Sequence, residues 1–300
     1  IAVHSYKDLP TAPVEGLTIA AVPRREDPRD VLITRTGGGL ASLPAGARVG
    51  TGSPRRVAQL LALGRGLVCT PIRGNVDTRL RKLAAGDVDA VVLAAAGLRR
   101  LGRAAEICEV LDPDVILPAP AQGALAVECR TGDHTLVERL PRLDDEPSRA
   151  AVLAERALLA TLEAGCSAPV AALASVSADE ITLTAAVFAP DGSRALRRRG
   201  TAALSDAAGL GTRLAAQLLT DGADRLLEEI ARDPGASPRA SAASGPGERQ
   251  LAPQSRADLT ASEERIVRAG AEGPAPGASP RASAVRSEER TDGAGKGDRP

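Results

Sequence analysis

Three hundred residues, 43% hydrophobic and 25% charged, have the composition of an ordinary globular protein with two or three domains. No apolar run approaches the ~20 residues of a membrane span, no charged leader opens the chain, and four cysteines without CxxC spacing argue against a zinc site or a disulfide framework, so a reducing cytoplasm is expected. Net charge is zero, but Arg48 to Arg103 holds eleven basic residues against three acids; with one Tyr and one Phe to stack on bases, that excess points to a small polyanion rather than nucleic acid.

The chain has no Met and begins Ile1-Ala2-Val3-His4, which reads as the middle of a strand, so a fragment lacking its natural start is expected. Residues 17–22 and 31–35 read as short strands, and a regular alternation then begins. Strand 47–51 precedes a helix over 54–63 with Pro54 in its first turn. Strand 67–72 precedes a helix over 76–85 that Gly86 should end. The apolar run 88–95 reads as a buried strand of the kind parallel sheets require. Such alternation predicts an α/β domain.

Farther on, Val152, Leu153, Leu158, Leu159 and Leu162 mark an amphipathic helix over 147–162, with Asp144, Asp145 and Glu146 suiting the positive end of its dipole. Strand 180–188 runs into the turn Pro190-Asp191-Gly192-Ser193 and a return strand, and one helix over about 205–231 completes a small α+β unit. Residues 233–300 are rich in Pro, Gly, Ser and Ala, with one nine-residue segment at 234–242 repeated at 276–284. That composition predicts a disordered tail or linker.

Three loops follow predicted strand ends and carry arginine. Gly50-Thr51-Gly52-Ser53-Pro54-Arg55-Arg56 places backbone N–H groups, hydroxyls and a helix start around an anion, without the Walker or dinucleotide pattern. Ile72-Arg73-Gly74-Asn75 leads into a helix bearing Arg79, and Gly97-Leu98-Arg99-Arg100 follows the next strand. Open parallel sheets bind ligands at that edge, and guanidinium forks suit carboxylates, so a carboxylate- or phosphate-binding cleft is expected. A fourth cluster, His4-Ser5-Tyr6-Lys7-Asp8, brings a hydroxyl, an amine and a carboxylate together; Asp8 could stabilise a cation or move protons there. His4 alone reads as structural. Cys166 stands in a small-residue loop after Gly165, where a tether could be attached. Cys69, Cys108 and Cys129 lie in or beside apolar runs and read as buried small hydrophobes.

Together these segments resemble the porphobilinogen deaminase (hydroxymethylbilane synthase) family. The resemblance is carried by residues 2–10, 25–30, 50–56, 73–79, 93–102, 118–123 and 163–166, in family order. It implies two domains like type II periplasmic binding proteins, the first incomplete here, then a small α+β domain and the tail. The corresponding boundaries are 1–24 with 119–142, then 25–118, 143–232 and 233–300. It also implies a dipyrromethane cofactor joined through a thioether to Cys166. Onto this primer four porphobilinogen molecules are condensed head to tail with loss of ammonia, before hydrolytic release of the linear tetrapyrrole.

On this resemblance Asp8 is the catalytic aspartate. The cofactor would be held by Ser5, Lys7, Thr51, Ser53, Arg55, Arg56, Arg73, Gly74 and Arg79, and the substrate by Arg73, Arg79, Arg100 and Gln122. Every pyrrole carries an acetate and a propionate, which the arginines suit. No metal, nucleic acid or membrane is implied, and the family is usually monomeric. Tyr6 stands where many relatives have Met, and Ala164 where Gly is common. The resemblance further implies residues ahead of Ile1 that bind cofactor and form a lid, so the chain as written is expected to be inactive and poorly folded. A non-enzymatic solute-binding protein is the competing reading. A fused uroporphyrinogen-III synthase beyond the tail is a second reading of residues 233–300.

Overall fold

A computed structural model describes residues 1–164 and 168–232; the expectations for Cys166 and for the 233–300 tail fall outside them. Three sheets organise the chain. Strands β1 (Ala2–Ser5), β2 (Leu17–Ala21) and β8 (Leu125–Arg130) form an antiparallel sheet in the order β1-β8-β2. A three-residue 3-10 turn, Tyr6–Asp8, leaves the end of β1.

The second sheet has the order β5-β4-β6-β3-β7, from β3 (Asp30–Thr34), β4 (Arg48–Gly50), β5 (Val68–Thr70), β6 (Ala90–Ala94) and β7 (Glu109–Val110). It is mixed: β4 runs parallel to β5 and β6, while β3 pairs antiparallel with β6 and β7. The apolar run of β6 reflects burial on both faces, which does not decide strand direction. On one face Val31, Ile33, Val91 and Leu93 pack with Leu80 and Leu83; on the other Leu32, Val49, Ala90 and Val92 pack with Leu60.

Local signals set the helices around it. Pro54 opens α1 (Pro54–Ala62), because its fixed φ suits a first turn and its missing N–H has no partner to lose there. In α2 (Val76–Ala85) the Asn75 side chain accepts from Thr78 N–H at 2.9 Å, and Gly86 closes the helix at φ 82°. The arginine segment after β6 is itself helical, α3 (Ala95–Arg100), and a short α4 (His134–Arg139) follows β8.

The third sheet is the antiparallel meander β9 (Val170–Ser177), β10 (Glu180–Phe188) and β11 (Ala195–Ala203). Helices α5 (Glu146–Thr161) and α6 (Ala207–Thr220) cover the face that carries Ile181, Leu183, Ala185 and Val187. They meet so closely at Gly211 that a Cβ there would collide with the Ala154 carbonyl. The opposite face sets Ala171, Ala186 and Phe188 against Ala58 of α1 and Leu117. The single helix expected over about 205–231 is instead α6 followed by α7 (Ala223–Arg232). Gly222, at φ 96°, permits the break between them.

Two connectors, residues 22–29 and 111–124, join the first sheet to the second and run side by side. Glu26 N–H donates to Gly123 O at 3.2 Å, and Arg25 Nε to Gln122 O at 2.8 Å. A Cβ on Gly123 would strike the Glu26 carbonyl, so the approach depends on glycine. Glu155 of α5 locks this crossing. Its carboxylate takes Arg25 Nη1 at 2.7 Å and Nη2 at 3.0 Å, together with the N–H groups of Ala121 (2.5 Å) and Ala174 (2.7 Å).

Candidate functional site

The predicted arginines Arg55 and Arg56 stand on the first turn of α1, yet only 3% and 5% of their surfaces are exposed. Both turn toward Asp30, the fully buried first residue of β3. Arg56 donates to Asp30 Oδ1 from Nη2 at 2.7 Å and from Nε at 3.1 Å, and to Val92 O at 3.0 Å. Arg55 Nη1 lies 2.8 Å from Asp30 Oδ2, while its bond runs to Leu117 O at 2.6 Å. That contact is therefore Coulombic, and both Asp30 Oδ2 and Arg55 Nε lack a hydrogen-bond partner among the described residues. Burial alone would raise the Asp30 pKa, but the charges of Arg55 and Arg56 outweigh it and hold the carboxyl well below the usual carboxylate range. Burial also lowers the pKa of Arg55.

Gln122 extends the node. Its Nε2 donates to Asp30 Oδ1 at 2.8 Å and to Pro28 O at 2.7 Å, and its Oε1 accepts from Lys7 Nζ at 3.4 Å. It was expected to contact substrate; it is fully buried and spends its amide on Pro28 of the facing connector, on Asp30 and on the turn after β1. Burial, reinforced by the nearby charge of Arg56, lowers the Lys7 pKa from 10.5 to about 8. Asp8, the next residue, is exposed at the same place. Arg79 is drawn into the group as well, its pKa lowered by burial and then by Arg56; its Nε donates to Gly74 O at 2.8 Å.

The remaining expected residues lie around this node. Arg73 is exposed ahead of α2, and Arg100 donates to Gly123 O at 2.8 Å. The Thr51 hydroxyl is buried and accepts from Ser53 N–H at 3.2 Å, so it braces its own loop. Ser53 is half-buried and gives no side-chain cap to α1. Ser5 ends β1, and His4 bonds Glu128 at 3.2 Å, consistent with a structural role. Among the three described cysteines Cys129 is buried, while Cys69 and Cys108 are half-buried against apolar clusters. Burial pushes the Cys69 thiol up to about 11, which keeps it protonated.

Sequence reasoning did not assign roles to Asp30, Glu155, Arg25 or Arg156. One signal for Glu155 was present: a charged residue three positions after Val152 and three before Leu158 falls within the apolar stripe of α5. No signal marked Asp30 as the partner of residues 25 and 26 positions away. Among the described residues no cluster of His, Cys, Asp and Glu could hold a metal ion, and no helix is long and apolar enough to cross a membrane.

Comparison with known proteins matches residues 1–138 to the family model "Porphobilinogen deaminase, dipyromethane cofactor binding domain" and residues 149–220 to "Porphobilinogen deaminase, C-terminal domain". The porphobilinogen deaminase of Nocardia farcinica is 56% identical over 246 residues, covering 79% of this chain and 71% of that protein. The enzyme of that name from Acidothermus cellulolyticus is 58% identical over 232 residues, covering 76% and 70%. The one from Mycobacterium tuberculosis is 55% identical over 235 residues, covering 75% and 76%.

Proposed function

The chain belongs to the porphobilinogen deaminase family, and on that premise we propose how its node of buried charge performs hydroxymethylbilane synthesis. The observation that carries this reading is the gathering of Lys7, Arg55, Arg56 and Arg79 beside the exposed Asp8. These cations exceed what Asp30 and Asp8 can neutralise. The unpartnered Arg55 Nε adds a donor with nothing to donate to among the described residues. Such a donor set fits the acetate and propionate groups of a dipyrromethane, which would be held by Lys7, Arg55, Arg56 and Arg79 and anchored through Cys166. When bound, that group supplies the pyrrole primer to which the substrate is joined.

The protein's own groups do the rest. Arg73 and Arg100, at the rim, receive the carboxylates of incoming porphobilinogen. The Asp8 carboxylate accepts a pyrrole N–H and stabilises the positive charge that grows as ammonia departs. It also takes part in moving the proton that substitution releases. Asp30 and Gln122 act from beneath: they orient the two guanidinium groups and tie Lys7 to the connectors, so Gln122 serves as a bridge. Lys7, near pKa 8 without a ligand, is mostly charged at neutral pH, and an arriving carboxylate would favour that form further.

The wider reading is a cytoplasmic, monomeric enzyme. Its first α/β domain is built from 1–24 and 119–142, its second is 25–118 and its third is 143–232. The 300 residues match 70% to 76% of the length of these relatives. The central test is intact mass after incubating the protein with porphobilinogen. A dipyrromethane adduct that disappears in Cys166→Ser supports the enzyme; absence of any adduct favours a solute-binding protein.

A further inference from the structure

Arg156 takes no part in the charge node, yet it grips the turn that bears Asp8. It stands on α5 beside Glu155 and one helical turn after Val152, which packs against Tyr6 in a small apolar cluster with Ala121, Ala124 and Ala126. The Arg156 guanidinium lies over the Tyr6 ring, with Cζ 4.4 Å from the ring centre. Nη1 donates to Tyr6 O at 3.2 Å and to Leu9 O at 3.0 Å, and Nη2 donates to Pro10 O at 2.5 Å. Three carbonyls that bracket Lys7 and Asp8 thus converge on one planar group.

The turn needs such a grip. It is three residues long, and its own closing bond, Leu9 N–H to Tyr6 O, measures 3.4 Å. Short 3-10 turns of this kind hold their shape poorly alone. On its other side Tyr6 N–H reaches Ala124 O at 3.0 Å and Lys7 reaches Gln122. Among the described residues no hydrogen bond holds the Asp8 side chain itself, which is exposed; its place is set by the backbone on which it rides. A rigid fork with a flat face meets several carbonyls and a ring at once, which an ammonium on a flexible stem cannot do.

We propose that Arg156 is a positioning residue for the reaction: from the third sheet's helix it fixes the backbone of residues 6–10 and so the location of the Asp8 carboxylate. This rests on Asp8 being the reacting carboxylate. Displacement of such a group by about an ångström costs on the order of 100-fold in rate. In the holoenzyme, Arg156→Gln should lower kcat by about 10- to 100-fold with KM changed by less than about 3-fold. Arg156→Lys, which keeps the charge and one or two of the bonds, should recover part of that loss.

Asp8→Asn and the double variant complete the test. If Arg156 acts through Asp8, Arg156→Gln in the Asp8→Asn background should cost much less than it does alone, because residues that act as a unit are not additive. The thermal midpoint and the mass of the bound cofactor are measured alongside. If Arg156→Gln does not fold, Arg156→Lys decides: a kcat about 5-fold or more below the parent, with the thermal midpoint and KM held, supports the proposal. A kcat within 3-fold of the parent in the folded Arg156 variants, or full additivity with Asp8→Asn, overturns it while leaving Asp8 as the reacting group. An Asp8→Asn variant of undiminished kcat overturns both.

Discussion

Twenty buried residues, all Ala, Val, Ile or Leu, join the meander β9–β11 to α5, α6 and α7. At the crossing of the two connectors a small apolar cluster is joined by buried polar contacts of Asp30, Arg55, Arg56, Gln122, Glu155 and the largely buried Arg25. The first region is held by area and volume, and its energy is spread over many small terms. The second is held by a few directed bonds, each of which leaves a costly orphan if its partner is removed. An apolar core has nothing to offer a charged ligand. A node of cations around one carboxylate can offer its unspent donors without coming apart. On the proposed function, structural support and ligand binding share residues in the second region.

Substitutions can break or sharpen that contrast. Asp30→Asn should have the largest effect, since it strips the anion from two buried guanidinium groups; about 3–5 kcal/mol of stability should be lost in urea unfolding at neutral pH. A loss under about 1 kcal/mol would mean the node does not hold the connectors. Because the Asp30 pKa is depressed, its contribution is present above the ordinary carboxylate range and is lost as pH falls through the folded pKa. Leu183→Ala, in the fully buried centre of the apolar region, should cost about 3 kcal/mol through lost burial and a cavity. Its intact-mass adduct should match the parent's; a lost adduct would show that the two regions are coupled.

Lys7 gives a smaller effect of opposite sign. Folding lowers its pKa from 10.5 to about 8, so the unfolded chain binds the extra proton between those values. Below pH 8 the charged lysine destabilises the ligand-free fold, and stability should rise as pH increases from about 8 to 10.5. The rise should be at most about 3 kcal/mol and should vanish in Lys7→Met, as followed by thermal midpoints across that range. Smallest of all, Arg99→Ala removes bonds to Glu26 and Asp27 at 3.1 Å from a guanidinium that is 41% exposed. The change should stay within about 0.5 kcal/mol by urea unfolding, as for other surface pairs. A larger loss would place the node's influence beyond its buried members.

Locally coded features were readable in the sequence. Pro54, Asn75 and Gly86 marked helix ends because caps act within a few residues, and β10 was expected over the 180–188 it occupies. The break at Asp221-Gly222 was legible too, but the apolar periodicity on either side masked it. Strand direction in the second sheet was not, since burial on both faces gives one apolar pattern whichever way neighbours run. For the site, residue type and loop position marked the arginines and Asp8 as a group. They did not reveal that Asp30 lies beneath two of the arginines, or that α5 reaches back to grip the Asp8 turn. Those contacts join residues up to 150 positions apart, and no local pattern encodes them.

The paired connectors have a mechanical consequence. Zipped by Glu26 to Gly123 and Arg25 to Gln122, and too close at Gly123 for any side chain, they behave as one two-ply strap. Such a strap flexes about the axis across its width and resists one ply sliding past the other. Relative motion of the first two sheets would then be a swing about that single axis. Lys7, bonded to Gln122 within the strap, sits close to the pivot, where a swing of the flanking sheets displaces atoms least.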